Sequence, residues 1–155
     1  MMIGEVIKSG SKKTDDMEPA FIVSTDKSRL DLNVIHEFLS TAYWSSGRSM
    51  VEVEKTISNS ICFGAYLDGQ QIGFARVLTD TVVVAYLMDV FILEDFRGRG
   101  YGYKLIQAIL THPELSEVKN WLLKTKDAHE LYEIFGFTPM VETNDWMLRI
   151  SQKVK

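Results

Sequence analysis

The 155-residue chain holds one cysteine, three prolines and three histidines. With Cys62 alone, no intramolecular disulfide can form, and a reducing, cytoplasmic location is expected. Three scattered histidines give no ligand spacing, so no metal is expected. No run reaches the ~18 consecutive apolar residues of a membrane span; the longest, 82–88, has the length of a strand. The first ten residues lack the continuous apolar stretch of a secretory leader. A formal charge of −4 argues against nucleic acid as the partner and is compatible with an amine substrate.

What is present is an ordinary globular composition, 46% hydrophobic and 25% charged, enough for one domain with its own core. Residues 1–19 read as a loose leader, and a single domain over 1–155 is expected. A first strand follows at 21–24. Asp31 is placed to cap a helix with Ile35, Phe38, Leu39 and Ala42 on one face, ending near Tyr43 and Trp44. A second helix starts at Ser49 and carries Met50, Val53 and Ile57. Strands at 61–67 and 71–78 flank Asp68-Gly69, a strong hairpin signal. A long central strand spans 82–93, and a helix carrying Leu105, Ile106, Ile109 and Leu110 stops before Pro113. A strand at 119–124 precedes a short helix capped by Asp127 and closed by Gly136. Runs at 137–140 and 144–150 read as two final strands. The sum is an α/β fold, with a mixed, mostly antiparallel sheet of about seven strands and helices on both faces.

The central strand ends in Arg97-Gly98-Arg99-Gly100-Tyr101-Gly102, which opens directly into the third helix. Unpaired N–H groups and the positive end of the helix dipole both favour an anion there. Alternating glycines let a ligand approach the backbone without a Cβ in the way. The turn is not a Walker A loop, since Gly102 is followed by Tyr-Lys-Leu. Nor is it a dinucleotide fingerprint, because it comes late in the chain, after two helices and several strands.

Arg97-x-x-Gly100-x-Gly102 at a helix start resembles motif A of the GNAT N-acetyltransferases. Leu131-Tyr132-Glu133-Ile134-Phe135-Gly136-Phe137 resembles their motif B, in the family's order and about 30 residues on. Tyr43-Trp44-Ser45-Ser46-Gly47-Arg48 and Asp127-Ala128-His129 are similar to one bacterial branch. The resemblance implies an acyl-CoA fold in which the central strand carries a bulge and splays from its parallel neighbour. It implies acetyl-CoA as the acetyl donor, held by the main chain of Val90, Phe91 and Ile92 and, at the pyrophosphate, by Arg97, Gly98, Arg99, Gly100, Tyr101 and Gly102. It also implies that the Val90 N–H faces the thioester oxygen, where one well-placed donor is worth roughly 3–4 kcal/mol. Tyr132 takes the part of the acid that protonates the departing thiolate.

Relatives with a strand base carry it at positions that are Tyr86 and Met88 here. Asp89 is the nearest carboxylate, of opposite strand parity unless a bulge turns it. Water relaying the proton, or an amine arriving neutral, is the alternative. Tyr43, Trp44 and Arg48 lie where this family builds its acceptor pocket, although the two aromatics also fit the end of the first helix's apolar face. Cys62 reads as a small buried hydrophobe, and Trp121 and Trp146 as core or sheet aromatics. The expected activity is acetyl transfer from acetyl-CoA to a primary amine of a small molecule by direct attack in a ternary complex. Protein N-terminal or lysine acetylation and an acetyl-CoA sensor are the alternatives, and a homodimer is compatible with the resemblance.

Overall fold

A computed structural model describes residues 17–151. Five strands, β1 (Phe21–Ser24), β2 (Ile61–Leu67), β3 (Gln70–Thr79), β4 (Val84–Ile92) and β5 (Asn120–Leu122), form one sheet in that spatial order. Pairing is antiparallel from β1 to β4 and parallel between β4 and β5. Four α-helices lie among the described residues: α1 (Leu32–Thr41), α2 (Met50–Ser58), α3 (Tyr101–Leu110) and α4 (His129–Ile134). None is long and apolar enough to cross a membrane.

The caps explain where the first helices begin. The Asp31 carboxylate accepts from the Asn33 and Val34 N–H groups at α1. Ser49 and Glu52 form a reciprocal capping box at α2. Asp68 and Gly69 both take positive φ (48° and 85°), as the two-residue turn between β2 and β3 requires.

The helices divide between the two faces of the sheet. α1 and α2 bury Ile35, Leu39, Val53 and Ile57 against Cys62, Phe74 and Phe91. α3 buries Leu105, Ile106 and Ile109 on the other side, against Phe63, Ala75, Val77 and Leu87, with Tyr132 of α4. β4 changes faces part-way along. Ala85 and Leu87 point to the α3 side, but Phe91 points to the α1 side and Ile92 to the α3 side. Strict alternation would keep 85, 87 and 91 together. The break is a bulge, where the register with β3 jumps from Arg76↔Met88 to Phe74↔Phe91. Asp89 takes a φ of 53° there, unusual for a non-glycine residue. Gly73 accommodates the crowding, because a Cβ on it would lie 2.6 Å from Ile92 Cδ1 and 2.7 Å from the Phe91 carbonyl oxygen.

Three expectations need correction. Residues 137–140 and 144–150 form no strand, so the described sheet has five strands and not seven. Their β pattern pairs with no strand among the described residues, and Trp146 is exposed instead of packed in the core or sheet. Asp127 does not cap α4; Ala128 stands at the cap position, and its N–H donates to the Thr125 hydroxyl. A carboxylate one residue too early cannot reach the first orphan donors.

Candidate active site

β4 and β5 share only three pairs: Val84↔Asn120, Ala85↔Trp121 and Tyr86↔Leu122. Beyond Tyr86, β4 continues to Ile92 while β5 stops at Leu122, so their parallel pairing ends early, as a splay requires. The stretch of β4 holding Val90, Phe91 and Ile92 thus has an edge with no parallel neighbour among the described residues, able to take an extended ligand as a strand would be taken.

At the far end of that edge lies the glycine turn. Gly98 and Gly100 have φ of 75° and 82°, and a Cβ on either would meet nothing within 4 Å. The glycines are therefore required by backbone conformation, and the space above them is open. Gly100 caps α3 without a side-chain hydrogen bond, leaving the first N–H groups of the helix open to an anion. Arg97 Nε donates 2.9 Å to the Ile92 carbonyl, fixing the turn to the end of β4. Arg99 is exposed beside it.

Asp89 is 5% exposed, and the bulge turns it toward the face carrying Arg76 and Arg48. Its Oδ2 accepts from Arg76 Nε at 2.5 Å and from Arg48 Nη1 at 2.7 Å. Arg76 also donates to the Ser60 hydroxyl at 3.2 Å. Arg76 was not singled out from the sequence, although a lone guanidinium within the apolar run of β3 is itself a signal. A charge buried there needs a partner.

Tyr132 is 8% exposed, and its hydroxyl is pushed up to about 12, first by burial and then by Asp127 and Tyr43. Tyr43 follows α1, on the opposite face of the sheet from α4, yet the two phenols interact electrostatically. An aromatic chain lines the α1 side. Phe38 stacks on Phe91 with centroids 3.9 Å apart, Trp44 tilts against Phe38 at 6.0 Å, and Tyr43 meets Trp44 edge-on at 5.0 Å. Lys126 Nζ lies 4.4 Å from the Tyr43 ring centroid. Cys62 is buried and its thiol pushed up to about 11 by desolvation, which favours the protonated thiol over the thiolate.

Residues 58–139 match the acetyltransferase (GNAT) domain family. The chain belongs to the GNAT acetyltransferases. It is 42% identical to a chain of the GNAT family from Xanthomonas campestris pv. campestris, with a TM-score of 0.82 over 86% of this chain and 94% of that one. A candidate acetyltransferase of Gibberella zeae is 29% identical over 136 residues, 72% of this chain and 75% of that protein. The aminoglycoside N-acetyltransferase AAC(6')-Iy, solved in complex with CoA, shares the GNAT fold at 16% identity, with a TM-score of 0.65 over 90% of this chain and 99% of that one. The splayed β4–β5 pair and the glycine turn thus belong to an acetyltransferase.

Proposed function

We propose that the chain transfers an acetyl group from acetyl-CoA to a primary amine of a small molecule, by direct attack with both substrates bound. One arrangement carries the reading: a β4 edge left unpaired by β5 beyond Tyr86, with an uncapped, glycine-opened helix N-terminus following it. These features fit acetyl-CoA, since the open backbone suits its extended arm and the α3 N-terminus suits its pyrophosphate. When bound, acetyl-CoA supplies the activated acyl group.

The chain's own residues do the rest. The main chain of Val90, Phe91 and Ile92 holds the donor's arm, and the Val90 N–H stabilises negative charge developing on the thioester oxygen. Arg97, Arg99 and the N–H groups from Gly98 to Gly102 bind the phosphates. Tyr132 donates its hydroxyl proton to the departing sulfur. Its raised value keeps that donor protonated across the physiological range.

Asp89 was the carboxylate considered for the base. With Oδ2 accepting from two guanidinium groups, we assign it instead the task of holding the bulge, and the amine proton leaves to water. Tyr43, Trp44 and Arg48 line the acceptor side. Arg48 is paired with Asp89, so the surface offered to the acceptor is mainly aromatic and suits an amine with an apolar body.

The engagement of Asp89 also favours a second reading, an acetyl-CoA sensor with little turnover. Acetylation of a protein N-terminus or lysine is the further enzymatic alternative. The chain is taken as one domain acting in the cytoplasm, on the strength of its lone buried thiol, and as a homodimer. Differential scanning fluorimetry with acetyl-CoA tests the donor. A clear rise in Tm is expected, and no shift at saturating acetyl-CoA would remove the reading.

A further inference from the structure

Asp89 is outnumbered by the cations around it. Arg48 and Arg76 both donate to the same oxygen, Oδ2, and among the described residues neither guanidinium makes an ion pair with any other carboxylate. Both guanidinium groups are permanently charged, so even with Asp89 ionised the three side chains sum to one positive charge, two cations less one anion. The side chains of Asp89, Arg76 and Arg48 are only 1%, 7% and 18% exposed. A charge held that far from water without a counter-ion is unfavourable, and a carboxylate entering beside it would relieve the imbalance.

The way in is at Arg48. Arg76 is engaged on the inside, with Nε on Asp89 and Nη1 on the Ser60 hydroxyl. Arg48 is the most exposed of the three, and among the described residues only its Nη1 is committed, although a planar guanidinium offers several further N–H donors. Its turn is firmly set. Gly47 takes a φ of 82°, the Arg48 N–H donates to the Ser45 carbonyl at 3.1 Å, and the buried Ser45 hydroxyl donates to the Leu39 carbonyl at 2.7 Å. The same turn carries Tyr43 and Trp44, 52% and 43% exposed. The open edge of Arg48 therefore belongs to the acceptor side, and its partner Asp89 directly precedes Val90. The donor's phosphates are assigned to the glycine turn beyond Ile92, which leaves this charge to the acceptor.

We infer that the acceptor is an amine that also carries a carboxylate, received by the open edge of Arg48 while its apolar body lies against Tyr43 and Trp44. A guanidinium fork and a carboxylate match in shape as well as charge. An apolar α-amino acid is the simplest member of that class. Its amine and carboxylate stand on one carbon, as suits a cation whose partner adjoins the proposed oxyanion donor. This substrate class rests on the acceptor side proposed above, and it makes Arg48 a specificity-determining residue.

Calorimetric titration in the presence of CoA, with two matched pairs of ligands, gives the test: phenylalanine against phenethylamine, and leucine against isoamylamine. Within each pair only the carboxylate differs. Each amino acid should bind about tenfold or more tightly than its decarboxylated partner. Arg48→Gln should erase that difference, and Arg48→Lys should keep part of it. The wild-type comparison decides by itself if Arg48→Gln does not fold. Equal or weaker binding of the amino acids, no binding of either ligand, or a preference that survives in Arg48→Gln overturns the inference. Binding is read without turnover, so the two readings fail separately. Amino acids that bind through Arg48 without thiol release from acetyl-CoA would sink the transferase reading alone. Amine turnover indifferent to the carboxylate would sink this substrate class alone.

Discussion

Tyr86 and Leu122 are the last facing pair between β4 and β5. Past them β4 runs on beside β3 but without β5, through Met88, the bulge at Asp89, and Val90 to Ile92. One strand therefore supplies both the edge that β5 leaves unpaired and the turned backbone proposed to hold the donor. The Asp89 carboxylate, pinned by two guanidinium groups on the α1 side, holds that turn.

The anchor can be tested through stability. Asp89→Ala would leave Arg76, itself 6% exposed, with its charge unmatched in the core. Removing one partner of a buried pair typically costs about 3–5 kcal/mol. Urea denaturation should show a loss of that order, with acetyl-CoA affinity falling as the bulge relaxes. An Asp89→Asn variant with unchanged acetyl-CoA affinity and unchanged stability would mean that the ion pairs hold nothing.

Tyr132→Phe removes the proposed acid while keeping the ring that meets Phe137 edge-on at 5.8 Å. Turnover should fall by roughly 10²–10⁴-fold, the usual contribution of a positioned acid. Acetyl-CoA affinity should change little. Steady-state kinetics beside calorimetric titration separates the two, and equal turnover would remove the role.

The ionisation of Tyr132 has a defined sign. Burial raises its folded value to about 12, above that of a free phenol. The neutral form is thus favoured by folding, and its contribution to stability is complete below pH ~10 and lost as pH rises toward the folded value. Melting curves should show wild type losing stability more steeply than Tyr132→Phe above pH ~10. The kcat profile should show no alkaline limb due to Tyr132 at lower pH. Parallel melting of the two proteins to high pH would contradict this.

The glycine turn should respond to a single methyl group. Gly100 has a φ of 82°, and a Cβ would meet no atom within 4 Å, so Gly100→Ala costs backbone strain without a clash. A loss of about 1–2 kcal/mol is expected. Gly100→Arg should add obstruction of the open space above the turn and weaken acetyl-CoA binding by more than Gly100→Ala does. Isothermal titration of both variants checks the order.

Much of this architecture was legible in the sequence because local chemistry specified it. Asp31, Ser49-x-x-Glu52 and Asp68-Gly69 place their caps and turn as their side chains dictate. The mixed sheet followed from the strand–helix–strand order, but the splay was reached through family resemblance, since nothing local in 119–124 states where β5 ends. Asp89 illustrates the harder kind of residue. Its side-chain direction depends on a bulge set by the Arg76↔Met88 and Phe74↔Phe91 registers, which are long-range facts. The C-terminal runs failed for the opposite reason. Their β pattern is real, but a strand also needs an edge to pair with, and pattern alone does not provide one.

Release of CoA thiol from acetyl-CoA across a panel of small amines and peptides tests the central claim most directly. The account predicts amine-dependent release by wild type, strongest with small amines of apolar body, and about 100-fold less with Tyr132→Phe. Acetyl-CoA binding with no thiol release for any amine or peptide would contradict it.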